Sequence, residues 1–193
     1  MRFGVIVLAA GGSSRMGSPK QLLRYRGETL IRRAAQAAIA STCNRVTVVI
    51  GSNAPQMTRE LEDLPVSVVE NQIWQTGMSS SIRAGLDDLR QHDLDGILIM
   101  LCDQPFVTAG ILDDLITTHR QTGKPIVASS YDTIQGVPAF FSRELLPALA
   151  SLSADEGARR IIAKHPDLVA TINFPQGAID IDTPDDLQTH KED

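Results

Sequence analysis

The sequence contains few aromatic residues and no excess of positive charge. Phenylalanine, tryptophan and tyrosine together make up 4% of the chain, and the formal net charge is −5. Proteins that bind single-stranded nucleic acid stack bases on aromatic side chains, and nucleic-acid-binding surfaces carry clusters of Lys and Arg. The sequence offers neither feature, so we predict no nucleic-acid partner.

Long apolar runs and cysteines are also scarce. No apolar run approaches the roughly 20 residues needed to span a bilayer. The first apolar segment, residues 3–10, runs directly into glycines and lacks the cleavage-site pattern of a signal peptide. The two cysteines, Cys43 and Cys102, are too few for a disulfide framework. We therefore predict no membrane partner, reduced thiols and a cytoplasmic location.

The chain does contain a regular alternation of apolar runs and segments with helical periodicity. Residues 3–10 and 96–101 are continuous apolar runs, typical of strands that are buried on both faces. Residues 29–41 and 79–90 repeat their apolar positions at helical spacing. This alternation predicts an α/β fold of three layers, Rossmann-like, with a mostly parallel sheet. Residues 130–141 show strand and turn signals without a helix, so we expect a small mixed-strand insertion there.

The length and the helix-capping residues refine this picture. A chain of 193 residues fits one domain, which we take to span residues 1–193. Thr29 and Thr108 each precede a helical segment and are expected to be N-caps. Ser79 or Ser80 should cap the helix over residues 79–90. Near the C-terminus, residues 178–181 are expected to form a strand.

The segment after the first strand has the chemistry of a phosphate-binding loop. Residues 10–20 read AGGSSRMGSPK, with Arg15 and Lys20 as cations among small neutral residues. Glycine and serine allow the backbone N–H groups to approach an anion, and the two cations suit a polyphosphate. The glycines Gly12 and Gly17 have P-loop spacing, but Ser-Pro stands where a P-loop has Lys-Ser/Thr. The G-x-G-x-x-G pattern of dinucleotide-binding proteins is also absent from the sequence.

Two further loops carry polar groups where strands are expected to end. Gly77 precedes a run of three serines at a helix start, where free N–H groups and hydroxyls can bind an anion or a base edge. Asp103 follows the strand over residues 96–101, and a carboxylate there can bind Mg²⁺ together with substrate phosphates. A second ligand could come from Asp180 or Asp182, which lie on one face of the expected C-terminal strand.

Residues 8–20 (LAAGGSSRMGSPK) resemble the L-A-x-G-x-S-x-R-M-G-x-x-K signature of MobA-like nucleotidyltransferases. Alanine at the third place, Ala10, is most similar to the molybdenum cofactor cytidylyltransferase branch, since the guanylyl-transferring branch usually has glycine there. The segments CDQP at residues 102–105, GMSSS at 77–81 and DIDTPDD at 180–186 also resemble family elements. The resemblance runs from residue 4 to about residue 187.

The resemblance implies residue roles that the sequence alone does not establish. Arg15, Lys20 and Asp103 would be catalytic, with Mg²⁺ held by Asp103 and, of the two C-terminal candidates, Asp182. The nucleotide would be bound by the following residues: Ala9, Ala10, Gly11, Gly12, Ser13, Arg15, Lys20, Gly77, Ser80 and Ser81. Residues 136–141 would form the rim that receives the second substrate, and Arg159 would help to position that substrate or the phosphates.

The activity implied by the resemblance is transfer of CMP from CTP to the terminal phosphate of a phosphorylated pterin, molybdopterin, with release of pyrophosphate. The expected partners are CTP, that pterin, and a molybdoenzyme acceptor or insertion chaperone. Two other hypotheses remain open at this point. One keeps the chemistry but changes the acceptor or base: a sugar-1-phosphate, methylerythritol phosphate or GTP. The other is a non-catalytic nucleotide-binding or cofactor-delivery protein.

Overall fold

The structure is a computed structural model that describes residues 1–12, 19–181 and 186. Its strands are β1 (Phe3–Ala9), β2 (Arg24–Tyr25), β3 (Glu28–Thr29), β4 (Arg45–Ile50), β5 (Ser67–Glu70), β6 (Gly96–Leu101), β7 (Ile126–Tyr131), β8 (Ile134–Ser142) and β9 (Val169–Asn173). Its α-helices are α1 (Leu30–Ala40), α2 (Ala54–Leu61), α3 (Met78–Leu89), α4 (Ala109–Thr122), α5 (Leu146–Ala150) and α6 (Ala158–Lys164). Within these residues, no helix is long and apolar enough to cross a bilayer.

A central sheet of seven strands organises the fold, in the order β5-β4-β1-β6-β8-β7-β9. Strand β1 pairs in parallel with both β4 and β6, and β7 pairs in parallel with β9. Strand β8 runs antiparallel to both of its neighbours, β6 and β7. The mostly parallel sheet is confirmed, and the expected mixed-strand insertion is the β7–β8 hairpin. A separate small antiparallel sheet contains β2 and β3.

Helices cover both faces of the sheet, which explains why β1 is buried along its whole length. Alternate residues of β1 point into two different cores. Phe3, Val5 and Val7 belong to the core that includes side chains of α1, α2 and α4. Ile6 and Leu8 belong to the core that includes side chains of α3, α5 and α6. The result is the predicted three-layer arrangement.

Helix boundaries follow the capping chemistry in two cases and depart from it in a third. The side chains of Thr29 and Thr108 accept hydrogen bonds from the N–H groups of Arg32 and Ile111, so both predicted N-caps are confirmed. The expectation that Ser79 or Ser80 caps α3 is wrong, because the helix already begins at Met78. The residue before it has φ 114°, a conformation that glycine adopts without strain and that directs the chain into the helix.

The C-terminal part of the described chain also differs from the expectation. Pro175–Ala178 forms a 3-10 helix, and residues 179–181 form no strand. Gly177 packs against Tyr131 and Phe174, and its carbonyl oxygen accepts a hydrogen bond from Gln104. These tertiary contacts turn the chain away from the extended conformation that its alternating Asp and Ile residues predict.

Candidate active site

Lys20 and Asp103 form an ion pair at the carboxyl ends of two adjacent strands. Asp103 lies just beyond β6, and Lys20 begins a 3-10 helix, Lys20–Leu22. The Lys20 Nζ atom is 2.5 Å from Asp103 Oδ2, although the two residues are 83 positions apart in the chain. Their side chains are 24% and 12% exposed, so the pair is partly shielded from solvent. The pairing of β1 with β6 brings the two loops together.

The glycine loop leaves β1 beside this ion pair. Ala9 and Ala10 are buried, whereas Gly11 and Gly12 are exposed. Ser52, in the loop after β4, donates from its backbone N–H to the Ala10 carbonyl oxygen at 3.4 Å. Two of the predicted ligand-binding residues in this loop, Ser13 and Arg15, lie outside the described residues.

The serine-rich start of α3 forms a second wall. Ser80 and Ser81 are buried, and the Asn71 side-chain amide donates to both hydroxyls, at 2.8 and 3.0 Å. The Ser80 hydroxyl in turn donates to the Gly77 carbonyl oxygen at 2.8 Å. Ser80 is therefore fully engaged in the protein, whereas Ser81 faces the cavity described next. A side chain at Gly77 would meet the Ala154 carbonyl oxygen at 2.4 Å, so this turn has no room for one.

These elements enclose a cavity of about 330 Å³. It reaches the ion pair at one end and the start of α3 at the other. Its wall includes Ala9, Ala10, Gly11, Lys20, Gln21, Trp74, Gly77, Ser81, Asp103 and Asp155. Most of the predicted nucleotide-binding residues that the structure describes are thus brought together, while Gly12 and Ser80 do not line the cavity. The volume is within the range of small-molecule sites, which begins at about 300 Å³.

Trp74 takes part in both the core and the cavity wall. Its indole packs against the core that contains α3 side chains. A Cβ atom at Gly12 would lie 2.5 Å from the ring, and one at Gly51 would lie 2.8 Å from it. Trp74 therefore packs against the core and also lines the space that a ligand would enter.

A larger cavity, of about 1110 Å³, lies between α3 and α5 and reaches Ile97 near the amino end of β6. Ligands of parallel α/β sheets bind beyond the carboxyl ends of the strands, at the opposite edge. Two of its arginines are already satisfied: Arg83 donates to the Leu152 carbonyl oxygen, and Arg143 pairs with Asp93. Its position and these paired charges favour the smaller cavity as the reaction site.

Asp103 is the described residue best suited to hold a metal ion. Its Oδ1 atom is buried and has no hydrogen-bond partner among the residues that the structure describes, which leaves a carboxylate oxygen available to a cation. Within the described ranges, no group of three or more His, Cys, Asp or Glu side chains is placed so that it could hold a metal ion. The Ile181 N–H donates to the Asp103 carbonyl oxygen at 2.9 Å, so the described chain reaches this site at Ile181. Asp182, the next residue, lies outside the described residues.

A polar cluster adjoins Asp103 on the side of the β7–β8 hairpin. The Gln104 side-chain amide donates to the carbonyl oxygens of Gly177 at 2.9 Å and Val137 at 3.3 Å, and the Tyr131 hydroxyl donates to the latter at 3.4 Å. Burial raises the pKa of Tyr131, and the nearby carboxylate of Asp180 raises it further, while Arg159 opposes the shift. Tyr131 is therefore neutral at pH 7, and the predicted rim at residues 136–141 is held by neutral hydrogen bonds.

Sequence reasoning missed two buried polar residues of the site. Gln21 is bonded to the glycine loop, and Asn71 holds the serines of α3. Gln21 follows Lys20 directly, and Asn71 follows β5 at its carboxyl end, so their positions were readable from the sequence. The hydrogen-bond partners of these two residues could not be predicted from the sequence, because both side chains bond to groups in another segment of the chain. Asp155 also lines the cavity.

Comparison with known proteins supports a common origin for this arrangement. Residues 5–169 match the MobA-like NTP transferase domain. The chain is 35% identical over 189 residues to nicotine blue oxidoreductase of Paenarthrobacter nicotinovorans, covering 92% of this chain and 91% of that protein. It is 30% identical over 155 residues to molybdenum cofactor guanylyltransferase of Syntrophotalea carbinolica, covering 77% and 68%.

Solved structures agree with the family match. The Rv0371c homologue from Mycobacterium sp. strain JC1 superposes with a TM-score of 0.85 at 30% identity, covering 100% of this chain and 97% of that one. Rv0371c of Mycobacterium tuberculosis in complex with manganese has a TM-score of 0.79 at 28% identity, covering 100% and 99%. The chain has the nucleotidyltransferase α/β fold and belongs to the MobA-like NTP transferase family.

Proposed function

We propose that this protein transfers CMP from CTP to the terminal phosphate of molybdopterin and releases pyrophosphate. The observation that carries the proposal is the Lys20–Asp103 pair, with a contact of 2.5 Å at the end of a cavity lined by the glycine loop. At this position a cation that can bind phosphate, Lys20, contacts a carboxylate that can bind a metal ion, Asp103. Ala10, in place of the glycine usual in the guanylyl branch, favours CTP.

The nucleotide would occupy the cavity between the glycine loop and the start of α3. Lys20, with Arg15, would hold the phosphates. The base and sugar would lie against Ala9, Ala10 and Gly11, and the loop backbone would continue the contact through Gly12 and Ser13. Gly77, Ser80 and Ser81 would shape the base and ribose site, with Ser80 acting through its bonds within the turn. The rim at residues 136–141 would receive the pterin phosphate.

Asp103 would hold Mg²⁺ together with Asp182. The Oδ1 atom of Asp103, which has no partner within the described part of the chain, fits this role. Mg²⁺ commonly takes one or two protein carboxylates plus substrate phosphates. The manganese complex of Rv0371c supports a divalent ion in a related protein. When bound, the ion would neutralise charge on the triphosphate.

The reaction requires little covalent chemistry from the protein. An oxygen of the acceptor phosphate forms a bond to the α-phosphorus of CTP, and the bond from that phosphorus to the bridging oxygen breaks, so pyrophosphate leaves with the electron pair. The acceptor phosphate is already ionised at neutral pH, so no general base is needed. Lys20 would stabilise the charge that develops on the leaving group, and the cavity walls would align the two substrates.

The test compares CTP and GTP as donors, with molybdopterin as acceptor and Mg²⁺ present, by measuring pyrophosphate release. We expect CTP to be used preferentially and Asp103→Ala to abolish turnover without unfolding the protein. Asp114→Ala, at an exposed position of α4, is the matched control and should retain activity. Equal use of both nucleotides would contradict the cytidylyl assignment. Near-normal turnover by Asp103→Ala would contradict the metal assignment.

Two named relatives favour alternatives: the first is addressed by the same experiment, and the second needs an added assay. The guanylyltransferase of Syntrophotalea carbinolica favours GTP as the donor, so preferential GTP use would replace the cytidylyl assignment. The similarity to nicotine blue oxidoreductase favours reduction of that dye. Such a reduction needs a hydride donor, for which NADH and NADPH are the probes. Bleaching of the dye with either one, without pyrophosphate release from CTP or GTP, would favour the oxidoreductase.

We also propose a cytoplasmic location and a molybdoenzyme or insertion chaperone as recipient of the product. Both cysteines are free, Cys102 being buried and Cys43 half-buried. Reduced thiols are typical of the cytoplasm. Co-purification of a molybdoenzyme with the loaded protein, and its loss when the pterin is omitted, would test the recipient.

A further inference from the structure

Gln21 connects the catalytic lysine to the glycine loop. It follows Lys20 in the 3-10 helix, and only 1% of its surface is exposed. Its Nε2 atom donates to the Ala9 carbonyl oxygen at 3.1 Å and to the Gly11 carbonyl oxygen at 2.5 Å. One buried amide group therefore bridges two carbonyls that are two residues apart in the loop.

This bridge sets the orientation of the loop backbone. A peptide unit is planar, and its N–H points opposite to its C=O. With the carbonyls of Ala9 and Gly11 directed at Gln21, the N–H groups of Ala10 and Gly12 are directed away from it. Ser52 contacts the same loop, but at 3.3–3.4 Å, and the hydrogen bond of its hydroxyl is exposed to solvent. Gln21 thus makes the shorter and better shielded contacts with the loop.

The other end of the same amide is a buried acceptor without a partner. Because both groups bonded to the nitrogen are carbonyl oxygens, the nitrogen and oxygen of the side chain cannot be exchanged. The Oε1 atom is buried and no donor reaches it among the described residues. An unsatisfied buried acceptor is unfavourable. Gln21 also lines the cavity, so an N–H or O–H donor on a bound ligand is placed to satisfy it.

We propose that Gln21 is a positioning residue for the nucleotide loop and that its Oε1 atom accepts a hydrogen bond when the nucleotide is bound. The inference rests on the proposed function, because it takes a nucleoside triphosphate as the ligand of this cavity. Loss of the side-chain amide should loosen the loop and weaken nucleotide binding, while Lys20 and Asp103 remain in place for the chemical step.

The test measures nucleotide affinity by calorimetry, with Mg²⁺ and whichever of CTP and GTP the unmutated protein binds. Gln21→Met keeps the side-chain length but removes both hydrogen bonds, and we expect binding to be roughly tenfold weaker. Gln21→Glu places a carboxylate against two carbonyls and should weaken binding at least as much. Gln121→Met, at an exposed position of α4, is the matched control and should bind normally.

Turnover separates positioning from mere stability. We expect KM for the nucleotide to rise with little change in kcat, whereas a structural role would lower the active fraction and leave KM unchanged. The unmutated protein supplies a second measurement, since the Gln21 side-chain NH₂ resonances should resist exchange and shift when the nucleotide is added.

Each outcome has a distinct meaning. Absence of nucleotide binding by the unmutated protein overturns the proposed function. If the unmutated protein binds the nucleotide and the affinity of Gln21→Met is within twofold of its affinity, only the role of Gln21 is overturned. If both Gln21 variants fail to fold, unshifted Gln21 resonances on nucleotide addition overturn the role, and shifted ones support it.

Discussion

Breaking the Lys20–Asp103 ion pair should cost the free protein measurable stability as well as activity. At 2.5 Å and an effective dielectric constant of about 20, the gross attraction is about 7 kcal/mol. Desolvation and the loss of side-chain freedom cancel most of it. Exposed pairs retain about 0–1 kcal/mol, and breaking one side of a buried pair costs about 3–5 kcal/mol. Since these side chains are 24% and 12% exposed, we expect a coupling of about 1–3 kcal/mol.

A double-mutant cycle measures this coupling directly. Asp103→Asn, Lys20→Met and the double variant would be unfolded in urea without ligand, and the coupling is the non-additive part of their free energies of unfolding. The exposed pair of Arg90 with Asp87, separated by 3.4 Å, is the control. Its cycle should give no more than about 0.5 kcal/mol.

Turnover of the same variants tests the role of the pair in catalysis. Each single variant should lose at least about 100-fold in kcat, because charge stabilisation at the transferring phosphate depends on both residues. A coupling below about 0.5 kcal/mol would refute the reasoning, since it would mean that Lys20 and Asp103 do not meet in the free protein. Activity would then have to be explained without their juxtaposition.

Two further predictions concern packing and thiol chemistry. Gly85→Ala would place a Cβ atom 2.7 Å from Ile6 Cγ2 and should lower the free energy of unfolding in urea by about 1–3 kcal/mol. Gly110→Ala is the control: its Cβ atom would lie 3.6 Å from Thr108 Oγ1, and the substitution should be neutral or slightly stabilising. Burial raises the pKa of Cys43 to about 11, so its reaction with a disulfide reagent should be about 100-fold slower at pH 8 than that of a thiol with pKa 9 and should accelerate up to about pH 11. Buried Cys102 should react more slowly still, and a rate that levels off near pH 9 would contradict the burial of Cys43.

Local patterns predicted the elements that depend on local forces. The apolar runs that became β1 and β6 are buried on both faces whatever their neighbours are. Thr29 and Thr108 cap helices because each side chain accepts a hydrogen bond from the backbone N–H three residues later, so the whole contact lies within one helical turn. The expected strand at residues 178–181 does not form, because the chain depends there on tertiary contacts: Pro175–Ala178 forms a 3-10 helix, and Gln104 donates to the Gly177 carbonyl oxygen within it.

The sequence by itself determined the layer architecture, the family resemblance and the chemical types available to the site. Only the tertiary structure decided which of these chemical groups come into contact. Lys20 reaches Asp103 because β6 is one of the two strands that lie beside β1. Strand order depends on packing between distant segments, which no local pattern encodes. The same holds for Gln21, whose amide finds two loop carbonyls only after the chain has folded back on β1.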